Sequence, residues 1–428
     1  MKKVYIYVNG CERRALDAKR IQKYLLENGH IIINDPDKSD MNILIFCAAL
    51  DTDSDNAIEI IKDYQNRYSA ELIVGGCLPA IDKNKLENIY NGKTFVTTDL
   101  NKDPDKIDRL FPENKIKFKD IEDANIYDLN FKFQNINQES SSIFFKNRWY
   151  LNINAKIKIL IAKTFQRYLY RQNSLYHNFL LENPFFLRIS WGCPNACSYC
   201  AINKAIGSMQ SKPIEECLKE FNKGLENGHK TFIIDADDTG SYGLDINSTF
   251  PNLLDKLTSI SGDYKIILRD FNPRWLVKYI DELEEIFKRN KINYIDLPIQ
   301  SGSSRILKLM NRYSDTEKIK EAILKLKKTF PKLLMNTHYI LGFPSETEKD
   351  FKETISFLKE ISFNTIFVIP YSCRSDTKAE EIVPKISFDD IDRRINFLRK
   401  IMKDEYKYVM YKPGSRILVF GKKIISFS

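Results

Sequence analysis

Three cysteines lie within eight residues in the stretch Ile189-Ser190-Trp191-Gly192-Cys193-Pro194-Asn195-Ala196-Cys197-Ser198-Tyr199-Cys200. Structural zinc sites usually take four ligands from paired CxxC knuckles, so this spacing indicates a different kind of site. Three protein thiolates leave one position of a metal centre open. A CxxxCxxC loop can hold three irons of a [4Fe-4S] cluster and leave the fourth iron free for a chelating small molecule.

The sequence around this loop alternates between short apolar strands and helices from residue 185 to about residue 370. Such alternation predicts a parallel sheet built from β/α steps. Six steps are too few for a closed eight-stranded barrel, so we predict a partial barrel, with the cysteine loop at its C-terminal mouth. The expected strands are 185–190, 231–236, 264–268, 293–297, 334–340 and 364–369, and the expected helices are 213–228, 250–260, 273–288, 315–329 and 346–361.

Three further cysteines follow predicted strands near the start of the chain. Strands at 3–9, 42–46 and 71–74 alternate with helices at 14–27 and 55–68, which predicts a second, smaller parallel sheet. Cys11, Cys47 and Cys77 come one to three residues after these strands. The carboxyl ends of parallel strands share one edge of a sheet, so we expect the three thiols to converge. The alternative is that they are three ordinary small buried residues.

The composition indicates a globular protein of two or three domains. The chain has 428 residues, of which 43% are hydrophobic and 29% charged. It lacks an apolar stretch long enough to cross a bilayer, and its first residues lack the features of a signal peptide. We therefore expect a cytoplasmic protein that does not contact a membrane, whose eight cysteines include metal or redox sites rather than a disulfide framework. Cys217 lies in a helical stretch and is expected to be a packing residue, and Cys373 belongs to neither group of three.

The net charge of +9 is concentrated in two segments, 151–190 and 391–428. Such segments can be solvated faces or can guide a polyanionic partner. Between the two predicted sheets the alternation of strands and helices is lost. Basic and aromatic residues alternate in 154–181. This stretch is either a helix packed on the next domain or a docking surface for a peptide or RNA. After residue 386 we expect a basic helix from Asp389 to Met410 and then one strand.

The predicted organisation has four parts: an α/β domain at 1–100, an irregular or helical insertion at 101–182 that could dock substrate, a partial (β/α)6 barrel at 183–385, and a basic tail at 386–428.

Several motifs along the chain resemble those of the methylthiotransferase branch of the radical S-adenosylmethionine superfamily. The resemblance covers roughly residues 1–90 and 185–380. Besides the cysteine loop, the motifs that carry it are Asp237-Asp238, Tyr242-Gly243-Leu244-Asp245, Pro298-Ile299-Gln300-Ser301-Gly302-Ser303, Leu307-Lys308-Leu309-Met310-Asn311-Arg312, Leu341-Gly342-Phe343-Pro344-Ser345-Glu346-Thr347 and Tyr371-Ser372-Cys373-Arg374.

The resemblance implies a set of cofactors. Cys193, Cys197 and Cys200 would hold a [4Fe-4S] cluster whose free iron binds S-adenosylmethionine, the source of a 5′-deoxyadenosyl radical. Cys11, Cys47 and Cys77 match the ligands of a second [4Fe-4S] cluster, thought to carry the sulfur. S-adenosylmethionine would also donate the methyl group, and flavodoxin or ferredoxin would supply electrons.

The resemblance also implies a cofactor role for five other residues. Tyr199 would lie against the adenine of S-adenosylmethionine. Gln300, Ser301 and Arg312 are candidates for polar contacts to it, and Gly342 would let the backbone approach it. Catalytic residues beyond the cluster ligands are not expected.

The substrate is where this chain departs from the family pattern. Members usually carry a C-terminal RNA-binding module called TRAM, and only about seventeen residues follow Tyr411. We therefore expect methylthiolation of a peptide or protein side chain, for example at an aspartate β-carbon. The alternative is tRNA adenosine C2 methylthiolation. A third reading, a non-catalytic electron-transfer protein with two clusters, is weaker because electron carriers usually have four thiolates per cluster.

Overall fold

The computed structural model describes residues 1–127, 179–180, 182–406, 408–412 and 416–422. It divides into two compact units. The described residues of the first unit are 1–127 and 201–207, and those of the second run from 179 to 200 and from 208 to 422. Most of the expected docking segment, 154–181, lies outside the described residues.

The first unit contains a five-stranded sheet in the order β2-β1-β3-β4-β5, with every pair parallel. Its strands are β1 Lys3–Asn9, β2 Ile31–Ile33, β3 Met41–Phe46, β4 Glu71–Gly76 and β5 Lys93–Thr94. Its helices are α1 Glu12–Glu27, α2 Asp51–Arg67, α3 Leu78–Ile81, α4 Lys83–Glu87, α5 Asp99–Lys102, α6 Pro104–Leu110 and α7 Asn203–Ile206. Short 3-10 turns lie at Pro36–Lys38 and Phe118–Asp120.

Both faces of the first sheet are covered. Val4, Ile6 and Val8 of β1 belong to one core, whereas Tyr5 and Tyr7 belong to a second core on the other side. A strand buried on both faces reads as a continuous apolar run, which is why these strands could be predicted from the sequence. Part of the expected insertion, residues 101–127, carries short helices whose apolar side chains join the first of these cores.

The second unit contains an eight-stranded sheet in the order β14-β15-β13-β12-β11-β10-β9-β6. The pairs from β6 to β13 are parallel and form the open barrel, which confirms the predicted fold class. Its strands are β6 Phe185–Arg188, β9 Thr231–Asp235, β10 Lys265–Leu268, β11 Ile292–Asp296, β12 Leu334–Leu341, β13 Thr365–Pro370, β14 Tyr408–Lys412 and β15 Ile417–Gly421, with the separate pair β7 Ser190–Trp191 and β8 Gln210–Ser211.

Helices cover the outer face of this sheet and enclose one large apolar core. They are α8 Ile214–Glu226, α9 Phe250–Ser259, α10 Pro273–Phe287, α11 Ser304–Leu309, α12 Thr316–Thr329, α13 Glu348–Ile361 and α14 Phe388–Met402, with 3-10 turns at Thr239–Ser241 and Lys378–Glu380.

The C-terminal part differs from the prediction. The last helix ends at Met402 rather than Met410, and two strands follow it instead of one. Just beyond the helix, Tyr406 is buried and donates a hydrogen bond to the carbonyl of Phe363 (3.0 Å), which turns the chain back to the sheet. β14 and β15 then form an antiparallel hairpin on the edge of β13.

None of the helices in the described residues combines the length and the apolar character that a membrane crossing requires.

Candidate metal centres and the barrel interior

The register of three parallel strands brings Cys11, Cys47 and Cys77 to the same edge of the first sheet. Asn9 pairs with Phe46, and Phe46 pairs with Gly76. The ladder continues into the loops, where the Cys47 amide donates to Asn9 (2.7 Å) and the Cys77 amide donates to Phe46 (2.8 Å). The three cysteines therefore follow ladder-paired strand ends, as the sequence predicted. We call them the sheet triad.

Gly76 allows Cys77 to take this position. Its φ of +98° lies in the left-handed region, and an added Cβ would sit 2.4 Å from the carbonyl oxygen of Phe46. Only glycine tolerates both the backbone angle and the close approach. The position of Cys77 therefore depends on the glycine before it.

The thiols of the sheet triad influence one another. Burial raises the pKa of Cys11, although Arg14 and Arg13 lower it. Burial also raises the pKa of Cys47, and the neighbouring Cys11 and Cys77 thiols raise it further. The Cys11 and Cys77 thiols are thus among the groups that act on Cys47.

Arg14 is a cationic neighbour of this triad that the sequence reasoning missed. Its Nη1 donates to the Sγ atom of Cys77 across 3.5 Å, and its Nη2 pairs with Asp17 across 2.9 Å. The sequence shows only that Arg14 comes three residues after Cys11 in a predicted helix, and a charged residue there was not expected to be buried.

The CxxxCxxC loop of the second unit is tied to the segment that follows α11. The Ser198 amide donates to the carbonyl of Met310 (3.0 Å), and its hydroxyl donates to the carbonyl of Leu309 (2.7 Å). Asn311 Nδ2 donates to the carbonyl of Ala196 (2.8 Å). These bonds fix the loop that carries Cys193, Cys197 and Cys200, which we call the loop triad.

Hydrogen bonds also reach the sulfur atoms of the loop triad. Asn195 Nδ2 donates to Cys193 Sγ (3.2 Å) and to Asp238 Oδ2 (2.5 Å). Burial raises the pKa of Cys193 to about 12, with Asp238 adding to the effect. The role of Asn195 and Asp238 in placing this cysteine was not anticipated from the sequence.

Arg312 and Tyr199 lie beside the other two cysteines of the loop triad. Arg312 Nη1 donates to Cys197 Sγ (3.6 Å) and to the Tyr199 hydroxyl (3.4 Å), and its Nη2 donates to the carbonyl of Pro298 (2.7 Å). Burial raises the pKa of Tyr199, Arg312 lowers it, and Cys197 and Cys200 raise it further. Each triad thus has an arginine that donates to one of its sulfur atoms.

The remaining predicted cofactor residues occupy the ends of β11 and β12. Gln300 has a φ of +66°, and its backbone bonds to His338 and Ile340. The hydroxyl of buried Ser301 accepts from the Ser303 amide, which gives it a role within its own loop. Gly342 has a φ of +75°, and a Cβ there would lie 3.0 Å from a side-chain carbon of Ile391.

A layer of charged and titratable side chains lines the inner face of the barrel: four members lie at the carboxyl ends of β6, β9, β10 and β11, and the fifth, His338, lies within β12. Leu187, Ile234, Leu268 and Ile295 each come just before a member of this layer and belong to the core beneath the helices. Successive residues of a strand face opposite sides of the sheet. The charged side chains therefore face the barrel interior. The layer consists of Arg188, Asp235, Arg269, Asp296 and His338.

The signs of charge alternate from strand to strand in this layer. Arg188 Nε and Arg269 Nη1 lie 4.0 and 3.7 Å from the two carboxylate oxygens of Asp235. His338 Nε2 lies 3.5 Å from Asp296 Oδ1. Burial raises the pKa of Asp296, whereas His338 lowers it. This layer could have been found in the sequence, because a charged residue follows the apolar run of each of the first four strands.

Comparisons with known proteins match both units. Residues 187–358 match the radical SAM superfamily, and residues 3–97 match uncharacterized protein family UPF0004. The chain is 29% identical over 402 residues to the ribosomal protein uS12 methylthiotransferase RimO of a Thermotoga species, covering 92% of this chain and 81% of that protein. The chain belongs to the radical S-adenosylmethionine methylthiotransferase family.

Other members of this family are named for tRNA. A probable threonylcarbamoyladenosine tRNA methylthiotransferase of Pyrococcus horikoshii is 27% identical over 380 residues, which are 89% of this chain and 79% of the relative. A tRNA-2-methylthio-N(6)-dimethylallyladenosine synthase of Clostridium botulinum is 34% identical over 241 residues, or 55% of this chain and 53% of the relative. This chain is therefore a methylthiotransferase whose relatives have substrates of two classes.

A solved structure supports the fold. The radical S-adenosylmethionine methyltransferase TsrM from Kitasatospora setae superposes with a TM-score of 0.57 at 10% identity, covering 99% of this chain and 86% of TsrM.

The family implies a [4Fe-4S] cluster and S-adenosylmethionine, and the loop triad fits the cluster by its chemistry. It offers three sulfur donors in one loop, with hydrogen-bond donors on two of them. Within the part of the chain that the structure describes, no group of three or more His, Cys, Asp or Glu side chains is arranged for a metal ion. A four-iron cluster is larger than an ion and keeps its thiolate ligands further apart.

Proposed function

We propose that this methylthiotransferase inserts a methylthio group at an unactivated C–H bond of a peptide or protein side chain, such as the β-carbon of an aspartate. The observation that carries the proposal is the presence of two cysteine triads, one in each unit. Cys193, Cys197 and Cys200 serve as ligands of the cluster that the family implies. Cys11, Cys47 and Cys77 serve as ligands of a second [4Fe-4S] cluster.

The residues around the loop triad bind and orient the cofactor. When bound, the cluster and S-adenosylmethionine supply the radical that takes a hydrogen atom from carbon. Arg312 holds Cys197 and Tyr199 together, so it fixes the aromatic ring against which we place the adenine. We assign Gln300 and Gly342 to the same cofactor, and we assign Ser301 to the shape of the loop that follows β11. A flavodoxin or ferredoxin provides electrons.

The charged layer supports an amino-acid side chain as substrate. A guanidinium group matches a carboxylate in shape and charge, and both Arg188 and Arg269 face the barrel interior. Proteins that recognise an unstacked base usually stack it on aromatic side chains. A substrate carboxylate would share these two guanidinium groups with Asp235, which lies within 4.0 Å of both.

The alternative function is tRNA adenosine methylthiolation, which the names of the Pyrococcus and Clostridium relatives favour. Candidate acidic peptides and unmodified tRNA should be offered to the same reconstituted enzyme. We expect mass spectrometry to find a gain of about 46 Da, the mass of an inserted methylthio group, on a peptide. A gain confined to tRNA would replace the proposed substrate with the alternative.

The two triads can be tested separately by anaerobic reconstitution with dithionite and S-adenosylmethionine. We expect about eight irons per chain, falling to about four when Cys193, Cys197 and Cys200 are changed to Ala. That variant should lose 5′-deoxyadenosine formation. The Cys11→Ala, Cys47→Ala, Cys77→Ala variant should also hold about four irons, keep 5′-deoxyadenosine formation and lose the methylthio product.

Cys373→Ala is the matched control, because Cys373 is exposed and belongs to neither triad. It should retain the full iron content. Unchanged iron in a triple variant would refute the ligand assignment for that triad. Absence of 5′-deoxyadenosine from the unaltered enzyme would favour the non-catalytic reading.

A further inference from the structure

Arg14 is a buried cation with an unusual set of partners. Its side chain is only 4% exposed. Nη1 donates to Thr97 Oγ1 and to Cys77 Sγ, and Nη2 pairs with Asp17. Among the residues described by the structure, its Nε has no hydrogen-bond partner although it is buried. One donor of the guanidinium is therefore left over beside the sheet triad.

An unsatisfied buried donor is costly, and a buried charge needs compensation. Asp17 compensates the charge of Arg14. Neutral thiols would add no further negative charge beside this ion pair. Thiolates that ligate iron would add negative charge where Arg14 already lies.

We propose that Arg14 is a positioning residue for the cluster of the sheet triad: it holds the Cys77 sulfur, has one guanidinium donor left to offer a cluster and would raise its reduction potential. The inference rests on the proposed second cluster. Hydrogen bonds to cluster sulfurs and the net charge around them set the potential of such centres. A nearby fixed cation favours the reduced cluster, which carries one more negative charge.

The competing explanation is that Arg14 only stabilises α1 through its ion pair with Asp17, three positions away on the same helix. In that case, loss of the guanidinium would lower the stability of the unit without changing the potential. Arg20 provides the matched control. It lies on the same helix, is similarly protected from solvent, pairs with Asp123 and donates to the carbonyls of Leu100 and Ile121.

The test uses the full chain carrying Cys193→Ala, Cys197→Ala and Cys200→Ala, so that the sheet triad alone holds iron. In this parent, Arg14→Gln, Arg14→Lys and Arg20→Gln are compared by redox titration followed by electron paramagnetic resonance. We expect Arg14→Gln to shift the midpoint potential to a more negative value. Arg14→Lys keeps the charge and should restore most of the potential, and Arg20→Gln should match the parent.

The outcomes separate this inference from the function on which it rests. A parent without iron would overturn the second cluster and the role of Arg14 together. Iron with the same potential in the parent and in Arg14→Gln would overturn the role of Arg14 alone. If Arg14→Gln does not fold, Arg14→Lys decides through its electron paramagnetic resonance spectrum. Loss of the hydrogen bond to Cys77 should alter that spectrum while the potential stays near the parent's, and a spectrum identical to the parent's would count against the guanidinium.

Discussion

Gly76 shows how a single residue without a side chain positions a cysteine. We predict that Gly76→Ala lowers the free energy of unfolding by about 3 kcal/mol, because it adds overlap with a backbone oxygen to the cost of the left-handed angle. The displaced Cys77 should reduce iron to about four per chain while 5′-deoxyadenosine is still formed. Chemical denaturation and iron analysis measure both effects.

Gly29→Ala is the control for backbone strain alone. Gly29 has a φ of +81°, and nothing lies within 4 Å of the position of an added Cβ. We expect a loss of about 1 kcal/mol and no loss of iron. Equal effects of the two substitutions would show that the close approach to Phe46 is unimportant.

The cysteines could be grouped from the sequence, and family motifs pointed to Tyr199 and Arg312 beside them, but two other residues that contact the cysteine sulfurs were not predicted. Cys11, Cys47 and Cys77 could be grouped because each follows a strand, and the end of a parallel strand has a fixed place in a sheet. Arg14 and Asn195 could not be assigned to sulfur atoms, because the rotamer and burial of a side chain depend on packing that has no sequence period. The contact of Ser301 with the cofactor stays a prediction; its hydroxyl accepts from the Ser303 amide and lies 3.3 Å from the Thr354 hydroxyl.

The start of helix α13 depends on one aspartate. Asp350 accepts from Thr347 in a capping box and from Ser303 and Arg305. Burial would raise the pKa of Asp350, but these hydrogen bonds outweigh it and hold the pKa well below its usual range. We predict that Asp350→Asn destabilises the protein by about 2 kcal/mol at pH 7.

The pH dependence follows from the direction of this shift. A carboxyl group whose pKa is lowered by folding stabilises the protein above its unfolded pKa, which is about 3.9, and loses that contribution as the pH falls further. The gap between the parent and Asp350→Asn should therefore shrink below about pH 4 in urea titrations. Asp390→Asn, at a more exposed cap of α14, should have a smaller effect. A gap that is constant with pH would contradict the role of the carboxylate.

Strands and helices of the barrel could be predicted almost completely, because buried parallel strands are apolar runs bounded by amphipathic helices. The C-terminal hairpin could not be predicted in this way. Each of its strands has only five residues, β15 pairs with the edge of β13, and β14 pairs with β15. Edge pairing of this kind depends on a partner that is distant in sequence.

The charge of the whole chain gives the sharpest test of the alternative substrate. A protein that neutralises many phosphates loses affinity steeply as salt rises. If a peptide is the substrate, we expect the affinity for tRNA to be weak at physiological salt, and tRNA should not compete with the peptide. Filter binding over a range of salt concentrations measures this. Tight binding of tRNA with a steep slope, and no recognition of peptides, would contradict the proposed substrate class.

The two triads differ in how far apart their members are in sequence. The loop triad spans eight residues and could gather iron even in a chain without tertiary structure, whereas the members of the sheet triad are separated by 36 and 30 residues. The sheet triad exists only when β1, β3 and β4 pair in one register, since a slip by one residue turns side chains to the opposite face. Bringing the ends of such long loops together has an entropic cost, and this cost must be met before a cluster can bind all three thiols. Occupancy of the sheet triad therefore reports correct strand pairing during maturation, and occupancy of the loop triad does not.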